Sequence, residues 1–311
     1  MNQKEIERRI NEPKEIEEKI KIGVNSETTK LREVVIGLAD NFHKSGEVEI
    51  VNQSMFKNYC DPNLKPTAEK AVPEFEAYKR TLEQYGVKVY LPHAVKGVPD
   101  QLTPRDISFV IGNTFYIAGM KKESRKVEYK GIEYLFDKFD GNIIYVPNGI
   151  VVEGGDILVD KDVVYVGLSQ RTDRRGLEFL RQNLGKDYKI IPCYLKSLDE
   201  SEDVLHLDCA FNPIGEGCAL IYKEGFEFIP KIIEDRYHFI TVTKEEQQIL
   251  GTNVLSISPN TLIVRHGKEF VNLNKRIRNA TGVNVVEIKF DEAPKTGGSF
   301  RCCALPLYRE S

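Results

Sequence analysis

ILVDKDVVYVGLSQRTDRRGLEFLRQNLGKDYKII, residues 157–191, carries the organisation of the whole chain in one short stretch. Two β-branched runs, Ile157 to Val159 and Val163 to Gly167, precede a helical segment from about Arg174 to Asn183, and a further run, Tyr188 to Ile191, follows it. The order is strand, strand, helix, strand. Upstream, Ile107 to Val110 and Thr114 to Ile117 read as strands, Ile132 to Lys138 as a helix and Ile143 to Val146 as the next strand. The first round has a strand at Leu31 to Ile36 and a helix at Ala71 to Tyr85, with Val72, Phe75, Tyr78 and Leu82 at helical spacing. Gly86 ends that helix, and Val87 to Leu91 returns to strand. A fourth round starts at Leu205 and a fifth at Val254.

Units of roughly 40 to 60 residues repeated in this way predict a closed ring, because one such unit cannot bury its own sheet face. A solenoid would repeat in sequence as well as in order, and these units share only the order. The expected fold is therefore α/β: a five-bladed ββαβ propeller with pseudo-five-fold symmetry. No Gly-, Ser- or Pro-rich linker separates the rounds, which predicts a single catalytic domain over residues 25–311. Residues 1–24, with Ile6, Ile10, Ile16 and Ile20 among Lys, Glu and Arg and a break at Pro13, read as a charged helical extension.

Across 311 residues the hydrophobic share is 41% and the charged share 29%, which suits a globular chain with a core of its own. The formal charge of −3 lacks the basic excess that phosphate-backbone binding needs, so nucleic acid is not an expected partner. Membrane-spanning length is absent from the apolar runs, and Met1 to Lys21 has no apolar core of the signal-peptide kind. Cytoplasmic location is the expectation. Six cysteines, Cys60, Cys193, Cys209, Cys218, Cys302 and Cys303, then read as reduced thiols. Without CxxC or HxxxH spacing, no metal is expected.

Four segments could carry chemistry: Pro104-Arg105-Asp106, Glu153-Gly154-Gly155-Asp156, Leu205-His206-Leu207-Asp208 and Gly297 to Cys302. Each has an ordinary reading as a surface ion pair, a tight turn or a structural histidine. Their positions argue otherwise, since three lie at or just before an expected strand and the fourth closes the last round. A ring of such units points all four at one centre. An extended His206-Leu207-Asp208 run would place His206 and Asp208 on one face, and the same alternation would send Cys302 and Cys303 to opposite faces.

These residues resemble the guanidino-group-modifying enzymes of the pentein fold, which include arginine:glycine amidinotransferases, arginine deiminases and dimethylarginine dimethylaminohydrolases. The resemblance rests on Leu31 to Gly37, Pro104 to Ile107 with Gly112-Asn113, Met120 with Glu123-Ser124-Arg125 and Glu128-Tyr129, Gly167 to Thr172, His206 to Asn212, and Gly297 to Cys302. It implies Cys302 as nucleophile, His206 as acid and base, and Glu153 orienting His206. It also implies that Asp106 and Asp208 grip opposite edges of a guanidinium, with Asp156 on substrate nitrogens and Arg171 on a substrate carboxylate. The expected substrate is arginine or a related guanidino compound, without cofactor, and a homodimer is compatible with the pattern.

The segments around Asp106, His206 and Cys302 look amidinotransferase-like, whereas Gly167 to Thr172 with Arg174-Arg175-Gly176 looks hydrolase-like. Asp208 stands where dimethylarginine hydrolases typically carry a lysine. By a narrow margin the expectation is amidino transfer to an amine, with hydrolysis to a ureido product as the alternative. A non-catalytic pentein binding module is the reading from another class, and it would not need the Cys302, His206 and Glu153 set.

Overall fold

In the computed structural model the described residues are 19–42, 49–98, 100–197 and 204–310. The expected helix broken at Pro13 lies outside them. Fifteen strands form five three-stranded sheets. Blade one holds β1 (Lys30–Ile36) and β2 (Lys88–Tyr90); blade two holds β3 (Ser108–Ile111), β4 (Thr114–Ile117) and β5 (Asn142–Tyr145); blade three holds β6 (Ile157–Asp160), β7 (Val163–Leu168) and β8 (Lys189–Tyr194). Blade four holds β9 (Phe211–Ile214), β10 (Cys218–Ile221) and β11 (His238–Thr241), and blade five holds β12 (Leu255–Ser258), β13 (Thr261–Arg265) and β14 (Asn284–Ile288). The last strand, β15 (Ala304–Glu310), returns to pair antiparallel with β1 and supplies the third strand of blade one.

In blades two to five the first two strands pair antiparallel and the third lies parallel to the second. A parallel neighbour requires a crossover. It is made by α1 (Ala68–Gln84) in blade one, α2 (Arg174–Leu184) in blade three, α3 (Lys231–Arg236) in blade four and α4 (Val271–Thr281) in blade five. Blade two differs. The helix expected at Ile132 to Lys138 is 3-10 helix over Glu133–Lys138, following two shorter 3-10 turns.

Alternation along the strands joins the blades. Val34 and Ile36 pack with Leu255, Ile257 and Ile263 of blade five, while Val35 between them packs with Ile107, Val110 and Phe115 on the blade-two side. Phe109, Ile111 and Tyr116 meet β6 and β7, and a larger cluster ties blades three, four and five together. Both faces of a strand are thus buried, which is why the strand runs read as continuous apolar stretches. Ile20, Ile22 and Val24, on the extension side of the expected boundary at residue 24, are buried in the cluster between blades one and two. Their backbone is pinned as well: the Ile20 N–H donates to Lys138 O, and the Gly23 N–H to Leu307 O. Among the described residues no helix is long and apolar enough to cross a membrane.

Candidate active site

Each blade presents a short irregular segment immediately before its first strand, and these segments meet at the ring centre. The helical turn Pro104–Ile107 leads into β3, Glu153 with the 3-10 turn Gly154–Asp156 into β6, and His206 with the 3-10 turn Leu207–Cys209 into β9. Asn253 precedes β12, and Cys302 precedes β15. The expected extended run at 206–208 is therefore corrected: His206 is extended, but Leu207 to Cys209 coil because the Cys209 N–H returns to His206 O.

Close approach explains the paired glycines. A Cβ on Gly154 would lie 2.0 Å from Arg105 O, and one on Gly155 would lie 2.7 Å from the His206 ring. Only hydrogen at these positions lets the blade-three turn pass between the Asp106 turn and the histidine. Backbone also ties Cys302 to blade two, since the Arg105 N–H donates to Cys302 O at 3.2 Å.

His206 is buried, and its Nε2 lies 2.9 Å from Glu153 Oε2. Glu153 is fully buried and held in turn by the Lys121 N–H at 2.9 Å. The other ring nitrogen, Nδ1, faces Asp106 Oδ1 at 3.8 Å. Burial opposes a charge on His206, but Asp106, Asp156 and Glu153 outweigh it and raise the imidazole to about 9. Around neutral pH the ring is an imidazolium with a proton to give.

Cys302 carries the opposite balance. Burial, followed by Asp208 and Asp106, pushes its thiol well above the usual range, and the S–H points to Asp208 Oδ2 at 3.6 Å. The sulfur rests as a thiol. Cys303 lies in the apolar cluster of blades one and five, so one of the adjacent pair faces the site and the other the core. That outcome matches the expectation for a different reason, because both sit in a turn rather than in a strand.

A cavity of about 40 Å³ is lined by Cys302, His206, Asp106, Arg125, Arg171 and Asp100 among others. Asp106 accepts from Arg125 Nη1 at 2.8 Å through Oδ2, while its buried Oδ1 has no hydrogen-bond partner. A buried carboxylate oxygen without a hydrogen bond is uncommon in folded chains. Arg171 is buried rather than superficial and contacts Glu153 and Val51 O.

Two other expected residues stand apart from this cavity. Asp156 is fully buried beneath His206, where its oxygens accept from Ser169 Oγ at 2.7 Å and the Leu207 N–H at 2.9 Å. The second of these bonds ties it to the turn that follows His206. Asp208 is also fully buried and gives Oδ2 to Arg301 Nη1 at 2.8 Å. An internal guanidinium thus occupies the carboxylate expected to grip one edge of the ligand. Among the described residues no cluster of His, Cys, Asp or Glu has the makings of a metal site.

The family model for N,N dimethylarginine dimethylhydrolase, eukaryotic, matches residues 42–309, which takes in Asp106, Glu153, His206, Asn253 and Cys302. The chain belongs to this family of the pentein guanidino-modifying superfamily. Within the family's reach, the Bacillus subtilis (strain 168) protein YkgA is 37% identical over 265 residues, covering 84% of this chain and 87% of that protein. An arginine deiminase of Listeria monocytogenes is 28% identical over 264 residues, and the match covers 71% of this chain and 64% of the deiminase. Two solved structures superpose with TM-score 0.76 at 20% identity: SxtG, an amidinotransferase from Microseira wollei (93% of this chain, 98% of that one), and the N-terminal domain of ArgZ, a cyanobacterial arginine dihydrolase (90% and 98%). At that identity the likeness establishes the fold.

For this family member three site residues escaped the sequence reading. Arg125 belongs to the Glu123-Ser124-Arg125 motif yet had no role; it reaches both Asp106 and, bidentately, Glu128. Arg301 lies in the cysteine segment itself. Asn253 gave no signal beyond an ordinary Gly-Thr-Asn turn, and its amide bonds both the N–H and the sulfur of Cys302.

Proposed function

We propose that residues 25–311 form a cysteine-dependent hydrolase domain acting on the guanidino group of arginine or an N-substituted arginine, with water as the final acceptor. The observation that carries this reading is the convergence of the Cys302 thiol, the Glu153-held His206 and the unpaired oxygen of Asp106 on one buried cavity. A guanidinium is a planar cation with a weakly electrophilic carbon, so it needs fixing and a strong nucleophile. Asp106 Oδ1 offers the fixing, through a charge-assisted hydrogen bond to one edge. The bound cation then supplies the positive charge that the sulfur lacks, which favours thiolate at the moment substrate is in place. Arg171 is the arginine at the cavity wall that suits a substrate carboxylate, since the Arg125 fork is taken up by Asp106 and Glu128.

Substrate binding sends the S–H proton of Cys302 to solvent, and thiolate attack then makes the S–C bond and a tetrahedral adduct. The His206 imidazolium protonates a terminal nitrogen of the guanidino group, its C–N bond breaks to release ammonia or an alkylamine, and a thiouronium that still carries the rest of the substrate remains on Cys302. Neutral His206, flanked by Glu153 and Asp106, then takes a proton from water as its oxygen attacks. Collapse breaks the S–C bond, regenerates the sulfur and leaves a ureido product.

Water is preferred over an amine because the matching family is one of hydrolases and the relatives at 25% to 28% identity include arginine deiminases. The amidinotransferase-like segments at Pro104 to Asn113, Met120 to Tyr129 and Gly297 to Cys302 favour transfer as the second reading. Incubation with arginine or N-methylated arginine, with and without glycine, ornithine or lysine, separates them. Ureido product independent of added amine supports hydrolysis. Ornithine released only when an amine is added supports transfer, and no turnover of any guanidino compound would leave the binding-module reading standing.

A further inference from the structure

We propose that Asn253 is a fifth member of the catalytic set, contributed by blade five, which grips the Cys302 sulfur and stabilises its anionic form during turnover. The proposal rests on Cys302 being the nucleophile. Pseudo-symmetry first singles the residue out. Blades two, three and four place Asp106, Glu153 and His206 just before their first strands, and the cysteine takes that position before β15. Asn253 fills the same position before β12.

Its side chain is 1% exposed and makes two bonds to one residue. Oδ1 accepts the Cys302 N–H at 3.1 Å, and Nδ2 donates to Cys302 Sγ at 3.0 Å. The amide orientation follows from chemistry, because a backbone N–H can only donate, so oxygen must face it and the NH2 must face sulfur. Of the charged groups around the sulfur, Asp208 and Asp106 disfavour its anion, with Cys209 and Cys303 adding to them, while Arg301 and Arg105 act in the opposite sense without a hydrogen bond to it. Asn253 thus brings to the sulfur a donor that is in place before any ligand arrives.

The loop that carries the amide is braced from blade four. Asn212 Nδ2 donates to Thr252 O at 2.8 Å and Val254 O at 2.9 Å, on either side of Asn253, and Thr252 Oγ1 donates to Cys209 O. The Asn253 N–H returns to Leu250 O, and Leu250 itself holds a left-handed φ of 62° although it is not glycine. Such a conformation is costly and persists where surrounding structure enforces it. Asn212, the last residue of the His206 to Asn212 motif, thereby acquires a purpose: it fixes the loop that positions the nucleophile.

The donor is useful twice. It stabilises the thiolate as the S–H proton is lost, and again when the S–C bond of the adduct breaks and the electron pair returns to sulfur. The test compares Asn253→Ala and the near-isosteric Asn253→Asp with wild type, measuring the pH dependence of iodoacetamide alkylation at Cys302, located by mass spectrometry, beside turnover of arginine. Alkylation at neutral pH is expected to slow about tenfold in Asn253→Ala and further in Asn253→Asp, each profile moving to higher pH, with turnover down roughly 100-fold, as when an oxyanion donor is removed. An unchanged alkylation profile in Asn253→Asp overturns the proposal even if turnover falls, since a merely structural role would not touch sulfur ionisation. Failure of the underlying reading looks different: Cys302→Ser would then retain turnover, whatever the alkylation profiles show.

Discussion

Asp106 and Asp208 approach the ring centre from blades two and four, yet their carboxylates are completed in opposite ways. Asp106 spends one oxygen on Arg125 and leaves the other without a partner at the cavity. Asp208 is enclosed: Arg301 and the S–H of Cys302 take one oxygen, and the S–H of Cys209 takes the other. Behind Asp208 the closure deepens, because Arg301 also meets Glu27 at 3.2 Å, and Glu27 draws in Arg105 at 3.8 Å. Burial disfavours the charge on Glu27, but Arg301, Arg105 and Arg309 together hold it below the usual carboxylate range. Burial, with repulsion among the arginines, brings Arg105 and Arg309 down to about 10.

One region therefore pairs its charges internally, leaving the donors Arg105 Nη2, Arg301 Nε and Arg309 Nε without hydrogen bonds, and the other leaves an acceptor without one at the cavity. A buried acceptor without a hydrogen bond is costly, so under the proposed function Asp106 Oδ1 is the atom that a guanidinium would complete, whereas the Glu27 and Asp208 cluster is built of ion pairs within the chain.

Substitutions should separate the two regions, and the largest effect belongs to the cavity. Cys302→Ser should lower turnover on the order of 10⁴-fold or more while the thermal midpoint stays near wild type. Retained activity would move the nucleophile elsewhere, with Cys303 the first to test. Next comes the closed cluster, where Arg301→Met strips a partner from both Asp208 and Glu27. A stability loss of about 3 to 5 kcal/mol in urea unfolding is expected, and an unaffected midpoint would mean that the cluster is not holding the ring.

Asp106→Asn should do the reverse. Loss of the charged acceptor should reduce kcat/KM for arginine by roughly 100-fold with a smaller loss of stability than Arg301→Met, because Arg125 keeps Glu128 as its partner, and it should also lower the pH at which His206 loses its proton. Destabilisation comparable to Arg301→Met would erase the contrast between the regions.

The smallest effect is a pH signature. His206 is raised to about 9 in the folded chain, above its unfolded value of about 6.5, so its charge contributes stability that is fully present below pH 6.5. That contribution is lost as pH rises through 9. Relative to His206→Asn, wild type should lose on the order of 2 kcal/mol between those limits. Parallel stability curves for the two proteins would show that the imidazolium is not held as the geometry implies.

Much of the ring was legible before any coordinates, because strand periodicity and repeat order are local properties. The stretch at 157–191 contains a complete blade, and β6, β7, α2 and β8 fall where its apolar runs and helical spacing place them. Blade two was less legible. Glu133–Lys138 has the composition of a helix, but short 3-10 turns connect its strands instead. Cys302, His206 and Glu153 were readable as candidates for the same reason as the blades, since each stands at the entry to a strand.

What the sequence determined by itself is the α/β repeat, the burial of both strand faces and the identity of the chemically able residues at the strand entries. Tertiary structure alone decided how those residues are shared out. Asp106 and Asp208 look interchangeable in sequence, yet only contact across the ring, with Arg125 for one and Arg301 for the other, makes one an open acceptor and the other a closed ion pair. The same holds for Asn253, 49 residues from Cys302 in the chain and bonded to it in space. Charge and hydrogen bonding depend on distances between residues far apart in sequence, and a one-dimensional pattern of hydrophobicity and turn residues carries no record of them.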